Sequence, residues 1–309
     1  MNASFSNALA TAREAAGHQH YPQGALYVVA TPIGNLADIT LRALHVLAIA
    51  DTIACEDTRH TQTLLRAYGI EKSSHQLLAV HQHNEAEASG RVLEKLHAGE
   101  RVAYVSDAGT PAVSDPGARL AHAVTAGGLR VLPLPGASSI TTALSAAGLV
   151  HDSGHFVFEG FLSTRSAERD AAVRKIAAEP RAVVLLEAPH RIEALATALV
   201  ALGTREITLA RELTKQFESI HTLPASDVPA WLQEDTQRTR GEFVVVVHAA
   251  AAVTEPGDDA GARALKLLLD EGVPLKSAVK IAAQWTGGSR NTLYDLALSL
   301  RKDAVRDTD

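Results

Sequence analysis

Sulfur is nearly absent from this chain: 309 residues hold one cysteine, Cys55, and one methionine. A lone cysteine excludes an intramolecular disulfide and a cysteine-based zinc cluster, and it fits a reducing cytoplasm. Aromatic residues make up only 4%, so stacking platforms for single-stranded nucleic acid are sparse. No apolar run reaches the roughly 18 residues that a membrane span needs. Residues 1–20 carry Arg13, no lysine and no long apolar core, which argues against a secretory signal. Positive charge is not in excess: 29 Lys and Arg face 35 Asp and Glu, for a net charge of −6. A general nucleic-acid coat is thereby disfavoured, although a local basic face is not. The nucleotide fingerprints G-x-x-x-x-G-K-[ST] and G-x-G-x-x-G after the first strand are missing, as is the hydrolase elbow G-x-S-x-G.

What is present is a large core for about two domains, with 46% hydrophobic and 21% charged residues. Residues 1–23 lack a clear period and read as a mobile tail. Short apolar runs at 25–30, 52–55, 77–80, 101–105 and 131–134 alternate with helical spacings, the signature of a parallel sheet covered on both faces. Asn84-Glu-Ala-Glu87 reads as a capping box, and Asp115-Pro116 as a helix start. After a break near 151–155, strands are expected at 156–161, 182–187, 206–210 and 243–248, with helices at 166–178 and 189–202. The domains are therefore placed at 24–150 and 151–250. Residues 251–261 have linker composition. Three short helical segments follow within 262–302. Residues 261–302 hold seven Lys and Arg against three Asp and Glu, a net +4. A Gly-Gly turn before a Ser-capped helix suggests a helix-turn-helix, or else a helical cap on the second domain.

Chemistry is concentrated after the strands, where open α/β sheets bind ligands. Thr31-Pro-Ile-Gly-Asn35, Ser106-Asp-Ala-Gly-Thr-Pro111 and Pro135-Gly-Ala-Ser-Ser139 are small, polar loops that let a backbone approach a ligand. Three of them at comparable strand ends point to one shared small-molecule pocket. Ser138 or Ser139 is expected to cap the next helix. Glu56-Asp-Thr-Arg59, Glu187-Ala-Pro-His-Arg191 and Arg211-Glu-Leu-Thr-Lys215 are charged clusters after other strands. Their arginines hold either external phosphates or structural salt bridges. His81-x-His83 lacks a third ligand at a sensible spacing, so no metal is expected.

Taken together and in order, Thr31–Thr40, Glu56–Arg59, Ser106–Pro111, Ser114–Gly117, Pro133–Gly136, Ala146–Leu149, Phe158–Phe161, His190-Arg191, Ala210–Lys215 and Gly241-Glu242 resemble the ribosomal RNA small subunit methyltransferase I family. That family is a branch of the tetrapyrrole (corrin/porphyrin) methylase superfamily. The resemblance implies a two-domain fold with a parallel α/β N-terminal domain and a mixed-sheet α/β C-terminal domain, plus a small C-terminal helical segment. It implies S-adenosylmethionine in the cleft between the domains, a homodimer, a cytoplasmic location and no membrane contact. The implied reaction is 2′-O-methylation of a cytidine in the decoding region of 16S rRNA on the small ribosomal subunit. Cofactor contacts carry over to Pro32 and Gly34, to Ser106, Asp107, Ala108 and Thr110, to Ser138 and Ser139, and to Glu187. Porphyrin-methylating relatives have a glycine-rich first loop where this chain has Thr-Pro-Ile-Gly-Asn, which favours the RNA branch. The resemblance carries no catalytic base. Reach and chemistry nominate Lys215 (if burial lowers its pKa), Glu187 and His190. Arg59, Arg191 and Arg211 are candidate RNA-phosphate ligands. The rivals are a tetrapyrrole C-methyltransferase and a non-catalytic, cofactor-binding ribosome assembly factor.

Overall fold

A computed structural model describes residues 5, 7–81, 84–114, 117–150, 154–250, 257–287 and 289–306. The first domain runs α1 (Ala8–Ala16), β1 (Ala25–Val29), α2 (Leu41–Ile49), β2 (Thr52–Cys55), α3 (Thr58–Ala67), β3 (Leu77–Ala79), α4 (Glu85–His97), β4 (Val102–Val105), α5 (Ala118–Ala126), β5 (Arg130–Leu134) and α6 (Ser139–Ala146). Its strands form a parallel sheet in the order β3-β2-β4-β1-β5. Period-2 alternation divides the strand side chains between two faces. Tyr27, Val29, Ile53 and Cys55 pack toward α2 and α3, whereas Leu26, Ala54, Val102 and Tyr104 pack toward α4 and α5. Both faces are covered, which is why β2 and β4 read as continuous apolar runs without a polar side. Burial pushes the Cys55 thiol up to about 11, so this cysteine is an inert core residue.

The second domain runs β6 (Phe156–Phe161), α7 (Ser166–Ala178), β7 (Ala182–Glu187), α8 (Ile192–Leu199), β8 (Glu206–Arg211), β9 (Ser219–Pro224), α9 (Val228–Gln233) and β10 (Phe243–Val247). Its sheet order is β6-β7-β10-β8-β9. Only β6 and β7 run parallel; β10 is antiparallel to both neighbours, and β9 is antiparallel to β8. The mixed sheet expected from the resemblance is therefore present, with β9 an additional edge strand. One face of this sheet packs on α7, α8 and α9. The other face buries Val184, Ala210, Val244 and Val246 against Ile140, Ala143 and Ala147, at α6 of the first domain. Helix α6 thus leaves the first sheet at β5 and seats on the second, coupling the two domains through apolar contact.

Three expectations are corrected by the structure, two of them at the ends of the body. The reading of 1–23 as a mobile tail fails over α1, where Ala12 and Ala16 are buried against α2. Tyr21 closes the contact, its hydroxyl donating to the Ala16 carbonyl at 3.1 Å and its ring lying 4.9 Å from that of His45. The helix presents alanines rather than large residues, so its apolar stripe is faint. Ala12→Asp is expected to cost about 2–4 kcal/mol by burying an unpaired charge, read as a lower urea midpoint at unchanged secondary structure of the body. The linker reading of 251–261 is also too long. Helix α10 spans Gly257–Asp270 and is followed by α11 (Leu275–Thr286) and α12 (Arg290–Arg306), while residues 251–256 lie outside the described residues.

These last three helices bury Leu265, Ala278, Ala282, Leu293 and Ala297 in a cluster of their own. That favours a separate helical unit over a cap built on the second core. Gly287, at φ +74°, ends α11 in the left-handed region and turns the chain toward α12. The Asn84 box is not formed: Asn84 instead accepts from the His81 amide and donates to the Ala79 carbonyl. Asp115-Pro116, His83 and residues 151–153 lie outside the described residues. No helix among the described residues is long and apolar enough to cross a membrane.

Candidate active site

The chain leaves β1 for β2 on one side of the sheet, while β5 lies on the other side, so β1 and β4 flank the point where strand order reverses. In an open α/β sheet that point is the expected binding crevice. The three small-residue loops after β1, β4 and β5 meet there and are tied to one another. Thr31 and Gly109 exchange both backbone hydrogen bonds, at 2.9 and 3.0 Å. The Thr31 hydroxyl donates to the Ser106 carbonyl at 3.3 Å, and the Thr110 hydroxyl to the Ala137 carbonyl at 3.0 Å. The Ser106 hydroxyl donates inward to the Ala108 carbonyl at 3.3 Å. Ser106 and Thr110 therefore shape the loops rather than face a ligand. Asp107 also ties β2 to the site, accepting from the Asp57 amide at 3.2 Å.

The second domain contributes the turn after β8. Backbone strain is concentrated there, with Glu212 at φ +52° and Thr214 at φ +65°. Because Arg211 pairs with Phe243 in the β8–β10 register, Glu212 falls opposite Glu242. The Glu212 amide donates to the Glu242 carbonyl at 3.0 Å, and the Glu242 amide donates to Glu212 Oε1 at 2.9 Å. Only glycine fits at Gly241, whose φ is +86° and where a Cβ would collide with the Glu212 side chain. Lys215 completes the cluster: its Nζ donates to Glu212 Oε1 at 2.8 Å and to Glu242 Oε2 at 3.0 Å. Burial alone would lower its pKa, but the two carboxylates outweigh it and the net shift is upward. The expectation of a lowered lysine is thus reversed, and Lys215 is a cation at neutral pH. Gly34 is one of the first domain's contacts with this turn, since a Cβ there would strike Lys215 Cγ and come within 3.0 Å of the Leu213 carbonyl.

Two adjoining cavities open between these loops. One, of about 270 Å³, has walls from both domains: Ile33, Leu186, Ala188, Pro189, Leu213 and Val244 supply apolar surface, and Ser139 and Glu187 supply oxygen atoms. The other, of about 350 Å³, lies between the first loop and α3 and is lined by Pro32, Gly34, Asp107, His60, Thr63 and Leu64 among others. Pro32, Gly34, Asp107, Ala108, Ser139 and Glu187 each line at least one of the two cavities. Ser138 does not; it occupies the N-cap position of α6, and its hydroxyl makes no capping bond.

Other candidates are committed elsewhere. The Glu187 side chain is 1% exposed and paired with Arg191 Nε at 3.0 Å, and it also accepts from the Ala188 amide at 2.9 Å. Arg191 in turn donates to the Leu162 carbonyl. Arg211 is spent within its own domain, on Ser219 Oγ and on the carbonyls of Phe217, Gln237 and Arg240. Neither guanidinium is placed as the expected phosphate ligand. Arg59, by contrast, is exposed in the first turn of α3, beside His60. His190 is exposed and lines neither cavity. Sequence reasoning did not nominate Glu242, His60 or Thr63 as site residues. Glu242 stood in the Gly241-Glu242 motif, but its pairing with Lys215 depends on strand register.

The chain is similar to known proteins over both α/β domains and the C-terminal helices. Residues 25–229 match the family Tetrapyrrole (Corrin/Porphyrin) Methylases, and residues 255–301 match the RsmI C-terminal HTH domain. The chain is 47% identical to the ribosomal RNA small subunit methyltransferase I of Escherichia coli O157:H7, over 89% of this chain and 95% of that one. It is likewise 47% identical to the protein of that name from Pseudomonas aeruginosa, over 89% and 97%. Among solved structures, the uroporphyrin-III C-methyltransferase of Thermus thermophilus has a TM-score of 0.52 at 22% identity, covering 73% of this chain and 94% of that chain. The methyltransferase CobJ has a TM-score of 0.54 at 22% identity, covering 74% and 95%. A Thermus thermophilus uroporphyrin-III C-methyltransferase complexed with S-adenosyl homocysteine has a TM-score of 0.51 at 18% identity, covering 72% and 97%.

Proposed function

This chain belongs to the ribosomal RNA small subunit methyltransferase I family of the tetrapyrrole methylases, and from that premise we propose that it methylates the ribose 2′-oxygen of a cytidine in 16S rRNA. S-adenosylmethionine is the methyl donor, and the small ribosomal subunit is the substrate. One observation carries the choice of RNA over a tetrapyrrole. The solved uroporphyrin-III C-methyltransferase and CobJ are covered almost end to end yet account for only about three quarters of this chain. The RNA-methyltransferase relatives cover 89% of it, and the HTH match takes in the C-terminal helices.

The residues present fit the donor. A slot with apolar walls and a few oxygen atoms suits an adenosyl group. The Ser139 hydroxyl makes no hydrogen bond within the described protein and faces that slot. Ile33, Ala188, Pro189 and Val244 would hold the adenosyl portion, with Ser139 and Glu187 as polar contacts. When bound, the group supplies a methyl on a positively charged sulfur. The chain's part is mainly positioning, since holding reactants aligned is worth on the order of 7–11 kcal/mol. The second cavity receives the ribose, and Arg59 and His60 on α3 meet the flanking phosphates.

RNA binding by a chain of net charge −6 requires charge segregation, and the +4 segment over 261–302 supplies it. Trp285, 79% exposed on α11, adds a stacking surface there. With few other aromatics, recognition rests on shape and phosphate contacts in an assembled subunit. The protein acts as a homodimer, which doubles this basic surface; sedimentation of a monomer at micromolar concentration would refute that part.

Labelled donor, supplied with small subunits from a strain lacking the modification, tests the reading. Label is expected in the rRNA of subunits and at least about tenfold less in naked rRNA. Label only in uroporphyrinogen, offered in parallel, would move the chain to tetrapyrrole chemistry. Binding of the donor without transfer to either would make the protein an assembly factor.

A further inference from the structure

Four residues line both cavities: Ile33, Ala108, Lys215 and Glu242. A donor seated in one cavity meets an acceptor seated in the other across this shared wall. Two of the four are apolar and handle no proton. Resting on the reading above, we propose that Glu242 is the catalytic base for the 2′-hydroxyl and that Lys215 Nζ hydrogen-bonds the same oxygen as it gains negative charge.

The surrounding carboxylates narrow the choice. Glu187 is buried and held by Arg191 and the Ala188 amide. Glu212 Oε1 is taken by both Lys215 and the Glu242 amide, and its side chain is 20% exposed. Glu242 is 77% exposed, and its carboxylate is tethered by Lys215 at one oxygen, Oε2. It can therefore turn toward an incoming hydroxyl without abandoning a buried partner. Backbone strain at Glu212 and Thr214 holds the turn that carries Lys215, and the Gly241 conformation holds Glu242 against it. A built geometry of this kind is what proton transfer in a positioned site requires.

The step balances. The hydroxyl proton passes to a Glu242 oxygen, and the electron pair left on the ribose oxygen forms the bond to the methyl carbon. The pair of the broken carbon–sulfur bond stays on sulfur. Glu242 then releases its proton to water through its exposed side.

The test is Glu242→Gln beside Glu242→Asp in the full-length protein, with saturating donor and small subunits. Glu242→Gln is expected to lower kcat by about 10²–10⁴-fold, with donor Kd, subunit affinity and Tm changed little. If the base is a carboxylate, the wild type is expected to lose rate toward acid pH, and Glu242→Gln to lack that limb. Glu242→Asp keeps a carboxylate and should retain both that acid limb and more of the rate. An unchanged kcat in Glu242→Gln would overturn the assignment. So would a loss residing wholly in donor or subunit affinity, or, if Glu242→Gln does not fold, an acid limb missing from Glu242→Asp. A wild-type protein that transfers no methyl to subunits would instead sink the functional reading itself.

Discussion

Lys215→Met is expected to lower methyl transfer by about 10²–10³-fold, the usual cost of deleting one donor to a developing oxyanion. The loss should fall on kcat rather than on donor affinity, because Lys215 stands where the two cavities meet while the slot's apolar walls come from other residues. The same substitution leaves Glu212 and Glu242 facing each other without the cation that bridges them. A modest fall in Tm follows; it stays modest because Glu242 is largely exposed and screened. The pH behaviour separates this role from that of a neutral lysine base. The folded pKa of Lys215 lies above the ordinary 10.5. Its ion pairs contribute stability that is complete below that ordinary value and lost as pH rises through the raised one. Turnover should therefore show no limb from Lys215 between about pH 7 and 9. A lysine base would require activity to rise through that window. A kcat–pH profile of wild type beside Lys215→Met decides between them.

Arg191→Ala should act through stability, not through RNA. Removing the guanidinium leaves Glu187 buried with its charge uncompensated except by the Ala188 amide. Breaking a buried pair from one side costs about 3–5 kcal/mol, which chemical denaturation would register as a large drop in midpoint. Adding Glu187→Gln to Arg191→Ala should recover part of that loss, because no buried charge is then stranded. Subunit affinity at low temperature should be nearly unchanged. A phosphate-binding Arg191 would do the reverse: affinity would weaken, the slope of log K against log salt would shrink by about one, and the midpoint would hold.

Most of the scaffold was legible because its strands are buried on both faces. Val102–Val105 and Phe243–Val247 announce themselves as unbroken apolar runs. Ser219–Pro224 did not, since this edge strand sets His221 and Thr222 side by side between Ile220 and Leu223, which breaks the period-2 pattern, and it ends in proline. Helix α1 was missed for a related reason, burying Ala12 and Ala16 rather than leucines. The binding loops could be read from glycine, proline and serine after β1, β4 and β5, because the backbone conformations they need restrict the residue types. Side-chain commitments could not. Nothing in Glu187-Ala-Pro-His-Arg191 shows that Arg191 turns back to Glu187, or that Arg211 is consumed by four acceptors of its own domain. Nor does Gly241-Glu242 show a partner 27 residues earlier, since that contact exists only once β8 and β10 pair in register.

The central claim, a methyl on a ribose oxygen of small-subunit RNA, has a direct chemical signature. A 2′-O-methyl group removes the hydroxyl that alkali needs to cleave the adjacent phosphodiester. Labelled rRNA recovered from treated subunits and digested in alkali is expected to leave its label in a single alkali-resistant dinucleotide that begins with cytidine. Label released wholly in mononucleotides would place the methyl on a base and contradict the account.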